Sequence, residues 1–196
     1  MFWYGLRAVD AVEAIEGVAL VVDRLWMEHA LSELIAANLR VKIEMVAGGV
    51  SRQASVHEGL KAVPPDADAV VVHDAARPLV QPVLIERALT ALRDADGAIC
   101  AVPVTDTLKR ARDGAIVETV PRDELWRAQT PQAFRASVLR RAHEWGAAEG
   151  VDATDDAMLV ERAGGNVVVV EGDPRNLKIT TRDDLVVAGA LLAGER

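Results

Sequence analysis

Four stretches of the chain carry side chains and backbone groups that could bind or transform an anionic ligand. The first, Val46-Ala47-Gly48-Gly49-Val50-Ser51-Arg52-Gln53-Ala54-Ser55-Val56, sets a glycine pair between an apolar run and a segment of helical pattern. Backbone N–H groups at such a helix start can hold anions or base edges, and glycine lets a ligand approach closely. A tight turn with Ser51 or Ser55 as the helix cap is the plain structural alternative. The second, Val70-Val71-Val72-His73-Asp74-Ala75-Ala76-Arg77-Pro78, ends an apolar strand in an acid, two small residues, a guanidinium and a proline. Ligands of open α/β sheets lie beyond the carboxyl ends of the strands, so this is a place for chemistry. Asp74 could hold magnesium or a sugar hydroxyl, and Arg77 could fork onto a phosphate. An Asp–Arg pair pinning a loop competes with that reading, and a lone histidine such as His73 more often has a packing or hydrogen-bonding role.

The third stretch gathers Thr105, Asp106, Thr107, Lys109 and Arg110, with Arg122 and Thr130 beyond them. Hydroxyls that orient an alcohol and cations that neutralise an ester suit a polyol phosphate; a solvated hairpin is the alternative. The fourth, Asp173-Pro174-Arg175-Asn176-Leu177-Lys178-Ile179-Thr180, puts Lys178 inside an apolar, strand-like piece. There it either snorkels to the edge or is aimed at an anion. Thr154-Asp155-Asp156 reads first as a helix N-terminus, where carboxylates cap free N–H groups and oppose the dipole.

The elements that must position these residues follow from hydrophobic period. Short runs rich in valine and isoleucine alternate with helical patterns, which predicts a parallel α/β sheet buried on both faces. Strands are expected near Val18–Val22, Lys42–Val46, Ala69–His73, Ala98–Val104 and Asn166–Glu171. Helices are expected near Arg7–Ile15, Leu25–Asn38, Gln53–Ala62, Pro82–Arg93, Arg135–Trp145 and Asp155–Ala163, with a capped last helix within Thr180–Leu192. Between Thr105 and Phe134 the alternation breaks: two β-prone pieces, Thr107–Arg110 and Ala115–Val120, flank Arg112-Asp113-Gly114, a hairpin signal. Their charge and few large apolar residues predict an arm that projects from the sheet, and such an arm commonly contacts a second subunit.

A chain of 196 residues is expected to form one domain, 1–196, able to bury its own core. Its 51% hydrophobic and 27% charged residues are the balance of a folded globular chain. A net charge of −8 offers no general attraction to nucleic acid or to an anionic membrane, so neither is expected as a partner and any anion needs a local basic cluster. The single cysteine, Cys100, lies in an apolar run and reads as a buried thiol. The aromatic start, Met1-Phe2-Trp3-Tyr4, has no basic segment followed by an apolar one, and no apolar stretch reaches membrane-spanning length. A cytoplasmic location is the simplest expectation.

The order and wording of these pieces resemble the 2-C-methyl-D-erythritol 4-phosphate cytidylyltransferase family from about Leu6 to the C-terminus. The matching pieces are Gly48-Gly49 with Arg52-Gln53 and Ser55-Val56; His73-Asp74-Ala75-Ala76-Arg77-Pro78; Asp106-Thr107-Leu108-Lys109-Arg110; Leu125-Trp126 with Gln129-Thr130-Pro131-Gln132; Thr154-Asp155-Asp156-Ala157; and Asn176 with Lys178-Ile179-Thr180. The resemblance implies a Rossmann-like, mostly parallel sheet of the nucleotide-diphospho-sugar transferase type, and a reaction of CTP with a polyol phosphate that releases magnesium-bound pyrophosphate. By that likeness Gly49, Ser55, Asp74 and Ala75 contact CTP. Arg77, Thr107, Arg122, Thr130 and Lys178 bind the polyol phosphate, Asp74 holds Mg2+, and Asp74, Arg122 and Lys178 form the catalytic set. A homodimer through residues 105–130, which present arm residues to the partner's site, is implied as well.

Family members begin with a strand and a glycine-rich loop bearing an arginine and a lysine around the triphosphate, and no stretch here matches it. About thirty residues of a strand-loop-helix unit are therefore expected to be missing, the first, central strand with them. Loss of that strand is expected to leave neighbouring strand edges without partners. Two other readings are weighed beside a working enzyme: a ribitol 5-phosphate cytidylyltransferase, and a non-catalytic dimeric remnant that keeps the polyol site. A dehydrogenase is disfavoured, because no G-x-G-x-x-G follows a first strand.

Overall fold

The computed structural model describes residues 2–35 and 38–194. In chain order the elements begin α1 (Phe2–Asp10), β1 (Gly17–Val22), α2 (Met27–Ile35), β2 (Lys42–Ala47), α3 (Arg52–Ala62), β3 (Ala69–Val72), α4 (Pro82–Ala91) and β4 (Gly97–Pro103). They continue β5 (Leu108–Arg112), β6 (Ala115–Val120), β7 (Trp126–Arg135), α5 (Ala136–Ala148), α6 (Asp156–Arg162), β8 (Val167–Glu171) and α7 (Arg182–Ala193). Each valine-rich run became a strand. Polar cap residues fix several helix starts: Ser51 accepts from the Ala54 amide, Asp155 from the Met158 amide, and Thr181 and Asp184 form a reciprocal capping box on α7.

The larger sheet has the order β3-β7-β4-β8. β7 runs antiparallel to both β3 and β4, while β8 is parallel to β4, so three of its four strands share a direction. β1 and β2 form a separate parallel pair, in register from Gly17 with Lys42 to Val22 with Ala47. Among the described residues β1 bonds only to β2 and β3 only to β7, and Val70, Val71 and Val72 of β3 are half-buried where β4 is largely buried. α3 packs across β1 and β2 and reaches α5, which joins the two sheets through a shared helical layer.

β7 was not expected. Trp126-Arg127-Ala128-Gln129-Thr130-Pro131-Gln132-Ala133-Phe134-Arg135 has a proline at its middle and no β-branched run, so neither period nor composition marks it. It holds because Gln129, Thr130 and Gln132 are buried with hydrogen-bond partners and Phe134 fills the core. The ladder to β4 passes from Ile99 opposite Gln132 to Ala101 opposite Ala128, so Gln129 to Pro131 bulge out of it. Such a bulge re-aims side chains, and here it turns Thr130 toward the end of β3.

Two apolar clusters cover the faces of the larger sheet. Val12, Leu84, Ile85, Ala88 and Cys100 lie beneath α1 and α4, and Phe134, Leu139, Ala142, Leu159 and Val160 lie beneath α5 and α6. Side chains as completely buried as Ile85, Phe134 and Leu139 contribute about 1.5–3 kcal/mol each by leaving water.

α1 begins at Phe2 and ends at Asp10, in place of the expected Arg7–Ile15. Arg40 explains the early stop: its guanidinium caps the Asp10 and Val12 carbonyls, and its amide donates to the Asp10 carboxylate. The first turn expected of α2 is a short 3-10 turn, Arg24–Trp26, capped by Asp23, and residues 36–37 of the expected span lie outside the described residues. The arm is a two-stranded hairpin turning at Asp113 and Gly114, whose φ of 49° and 80° fit the left-handed turn that Asp-Gly favours. Almost all of it is exposed, including Ile116 and Val117. Among the described residues no helix is long and apolar enough to cross a membrane.

Candidate active site

Asp74 leaves the carboxyl end of β3 and is gripped from both sides. One oxygen accepts from Arg52 Nε at 3.1 Å and the other from Lys178 Nζ at 2.9 Å. Burial alone would raise the Asp74 carboxyl; the Lys178 hydrogen bond and the charges of Arg52 and Lys178 outweigh it and hold the group below its ordinary range. Arg52, the first residue of α3, reaches further and donates through Nη1 to Asp156 Oδ2 at 2.7 Å. Burial works against its charge, but Asp156 and Asp74 more than compensate and its pKa is raised. Arg52 and Lys178 are thus the two cations that meet Asp74, balanced in charge by Asp74 and Asp156, with Arg77 close by in sequence.

The loop after β3 is braced from behind. The Asp74 amide donates to Thr130 Oγ1 at 2.9 Å, and that hydroxyl lies 3.1 Å from His73 Nδ1. Burial pushes the His73 imidazole down to about 4, against the pull of its Arg77 carbonyl contact, so it is neutral near pH 7. The tautomer follows. His73 Nε2 faces the Arg77 carbonyl at 3.1 Å and must donate to it, so Nδ1 is the acceptor and the Thr130 hydroxyl donates to it. α1 closes over this ring, since a Cβ on Gly5 would stand 3.6 Å from His73 Cδ2.

Arg77 donates to the Asn176 carbonyl at 2.7 Å and the Ala128 carbonyl at 3.4 Å, tying the turn before Lys178 to β7. Burial lowers its pKa despite the nearby Asp74, and its Nε is buried without a hydrogen-bond partner. Asn176, fully buried, donates to the Thr130 carbonyl at 2.8 Å, and Gln129 donates to the Asp173 carbonyl at 2.8 Å. The segment carrying Lys178 is thus an irregular loop, not the strand-like piece its apolar residues suggest, and it is fixed by buried amides.

The glycine turn sits at the start of α3. Gly49 is exposed, and its amide donates to Ser55 Oγ at 3.1 Å. A Cβ on Gly49 would stand 2.6 Å from Ala54 Cβ, so only glycine fits beside that first turn. Ala75 is exposed next to Asp74. Of the residues singled out in sequence, Asp74, Lys178, Thr130 and Arg77 converge, and Gly49 and Ser55 lie at the start of the helix that supplies Arg52. Thr130 is 3% exposed, with its hydroxyl engaged by Asp74 and His73, so it braces the loop where a direct ligand contact was expected. Thr107 is exposed on the arm, and Arg122 donates to the Thr105 carbonyl at the arm's base, so neither joins the Asp74 cluster within one protomer. Lys109 and Arg110 pair across the hairpin with Thr119 and Glu118.

Sequence reasoning gave Arg52 and His143 no role and read Asp156 only as an acid at a helix N-terminus. The available signal was Arg52 directly after a glycine-led turn; nothing in one sequence links it to an acid 104 positions away. Among the described residues no group of three or more His, Cys, Asp and Glu is arranged to hold a metal. Asp74 supplies carboxylate oxygens of the kind a hard cation such as magnesium accepts, and in this structure both of them meet cationic side chains.

A carboxylate held between two cations at the carboxyl end of a strand, beside a glycine-led helix start in an α/β fold, defines a protein that handles an anionic, nucleotide-type ligand. Comparison with known proteins sharpens that class. The sequence model of the 2-C-methyl-D-erythritol 4-phosphate cytidylyltransferase family matches residues 2–194, and the chain belongs to that family. A Bacillus pumilus protein named 2-C-methyl-D-erythritol 4-phosphate cytidylyltransferase is 50% identical over 192 residues, covering 97% of this chain and 83% of that protein. One of the same name from Thermosynechococcus vestitus is 47% identical over 196 residues, covering 97% and 82%. The crystal structure of 4-diphosphocytidyl-2C-methyl-D-erythritol synthase from Anaerococcus prevotii superposes with a TM-score of 0.90 at 32% identity, covering 98% of this chain and 88% of that one.

Proposed function

We propose that this chain joins CTP to 2-C-methyl-D-erythritol 4-phosphate, giving 4-diphosphocytidyl-2-C-methyl-D-erythritol and pyrophosphate, a step of isoprenoid precursor synthesis by the non-mevalonate route. The observation that carries the reading is the Lys178–Asp74–Arg52 cluster, assembled from three distant stretches at the carboxyl end of β3. A phosphate oxygen of the polyol phosphate attacks the α-phosphorus of CTP, the bond to the β-phosphate bridging oxygen breaks, and pyrophosphate leaves. The nucleophile is already an anion, so no general base is needed. What the chain must supply is alignment and compensation for charge growing on phosphate oxygens.

Lys178, 42% exposed on its side chain, swings from Asp74 onto a phosphate oxygen, and Arg77 offers the Nη N–H groups not spent on the Asn176 and Ala128 carbonyls. Gly49 and Ser55, whose amide and hydroxyl pair with each other at the start of α3, line the place of the cytosine, and Ala75 lies against the ribose. Bound magnesium supplies further charge neutralisation on the phosphates, with Asp74 its protein ligand. Thr130 acts through the loop it braces. Thr107 and Arg122 serve the partner's site in a homodimer formed through residues 105–130, whose exposed Ile116 and Val117 favour that contact. Cytoplasmic residence belongs to the same proposal, and cell fractionation checks it.

Pyrophosphate release from CTP with methylerythritol phosphate, run beside ribitol 5-phosphate, tests the reaction. Turnover at least tenfold faster with methylerythritol phosphate is expected. Faster turnover with ribitol 5-phosphate would reassign the substrate, and calorimetric binding of methylerythritol phosphate with no turnover would identify a non-catalytic remnant.

A further inference from the structure

His143, Asp156, Arg52 and Asp74 form one unbroken line of hydrogen bonds running from the buried side of α5 to the candidate active site. Asp156, at the first position of α6, is 1% exposed, and a carboxylate so buried must have its oxygens satisfied. His143 Nε2 meets Oδ1 at 2.9 Å and Arg52 Nη1 donates to Oδ2 at 2.7 Å. The guanidinium is therefore fixed at two points, by Nη1 on Asp156 and by Nε on Asp74. Lys178, on the other oxygen of Asp74, is anchored at one point and is the more exposed partner.

Net stability does not account for this arrangement, because a buried ion pair is commonly no more stabilising than apolar packing of the same volume. Its geometry does. A guanidinium held by a single carboxylate can rotate about its own side chain; one held by two on different atoms cannot. We propose that Asp156 is a positioning residue of the active site: gripped by His143, it aims Arg52 so that the guanidinium fixes one oxygen of Asp74 and leaves the second to Lys178. The inference rests on Asp74 being the carboxylate of the reaction proposed above.

Asp156→Asn, Arg52→Gln and Arg52→Lys test it in the full chain. A small misplacement of a reacting group can cost about 10²-fold in rate. Asp156→Asn should therefore lower kcat about 10- to 100-fold in the folded protein, with KM for both substrates within about threefold and a lowered thermal midpoint, since Arg52 loses a buried counter-charge. Arg52→Lys, which keeps charge but cannot bridge both acids, should recover only part of what Arg52→Gln loses. An unchanged kcat in Asp156→Asn, or full recovery by Arg52→Lys, overturns the proposal. Should Asp156→Asn not fold, the two Arg52 variants carry the test, since that side chain is part-exposed.

Absence of turnover in the parent chain would refute the reaction and leave the positioning claim to a second measurement. The chain has four histidines, so the His143 ring resonance is assignable in a nitrogen-15 spectrum by its loss in His143→Gln. Asp74→Asn should shift that resonance through Arg52 and Asp156. No shift would overturn the proposal independently of activity.

Discussion

Replacing Thr130 by valine keeps the shape of the side chain and removes one hydroxyl, which isolates the hydrogen bonds that set the loop after β3. The Asp74 amide loses its acceptor at 2.9 Å and His73 Nδ1 loses its donor at 3.1 Å, both in a part-buried setting. An unsatisfied buried group costs about 1–3 kcal/mol, and partial access to water places the pair together near 2 kcal/mol. For a domain of this size that is a fall of roughly 4–8 °C in Tm. Activity should fall as well, because Asp74 sits on the loop that the hydroxyl braces. Thermal unfolding followed by circular dichroism, with Thr130→Ser as the hydroxyl-retaining control, measures the effect. A valine variant within about 2 °C of the parent, or a serine variant destabilised as much as valine, would refute the hydrogen-bond assignment and the His73 tautomer derived from it.

Gly49→Ala drives a Cβ against Ala54 at 2.6 Å, so α3 must shift; about 1–3 kcal/mol of stability and at least roughly tenfold in CTP affinity by calorimetry should be lost. Asp184, whose carboxyl is held down to about 2 by the Thr180 and Thr181 amides and hydroxyls, has a folded pKa below its ordinary 3.8. Its contribution is therefore full above 3.8 and lost as pH falls from 3.8 toward 2, and Asp184→Asn should flatten the acid dependence of α7 amide exchange in that window. Cys100, pushed up to about 11 by burial, should resist thiol reagents at pH 8 in the native protein and react once the chain is denatured.

Much of the α/β fold could be read in the chain because valine-rich runs and glycine or Asp-Gly breaks act locally: β1, β2, β3, β4 and β8 begin and end within a residue or two of expectation, and the arm turns at Asp113 and Gly114. β7 could not, because a strand containing Pro131 and three buried polar side chains is stabilised by partners from elsewhere in the chain. The same physics divides the site. Asp74 at a strand end and Gly49 at a helix start are local signals, whereas the hold of Arg52 on Asp156 and of Lys178 on Asp74 spans 104 residues in each case. Asp155 and Asp156 show the limit most sharply. Both read as helix-cap acids, yet Asp155 caps α6 while its neighbour turns inward to His143 and Arg52.

Phosphorus-31 spectroscopy of the chain mixed with CTP, 2-C-methyl-D-erythritol 4-phosphate and magnesium tests the central claim most directly. Loss of the monoester and triphosphate signals together, matched by a new diphosphate diester and free pyrophosphate, is the predicted result. Release of inorganic phosphate from CTP alone, or a monoester signal that persists while nucleotide is consumed, would contradict it.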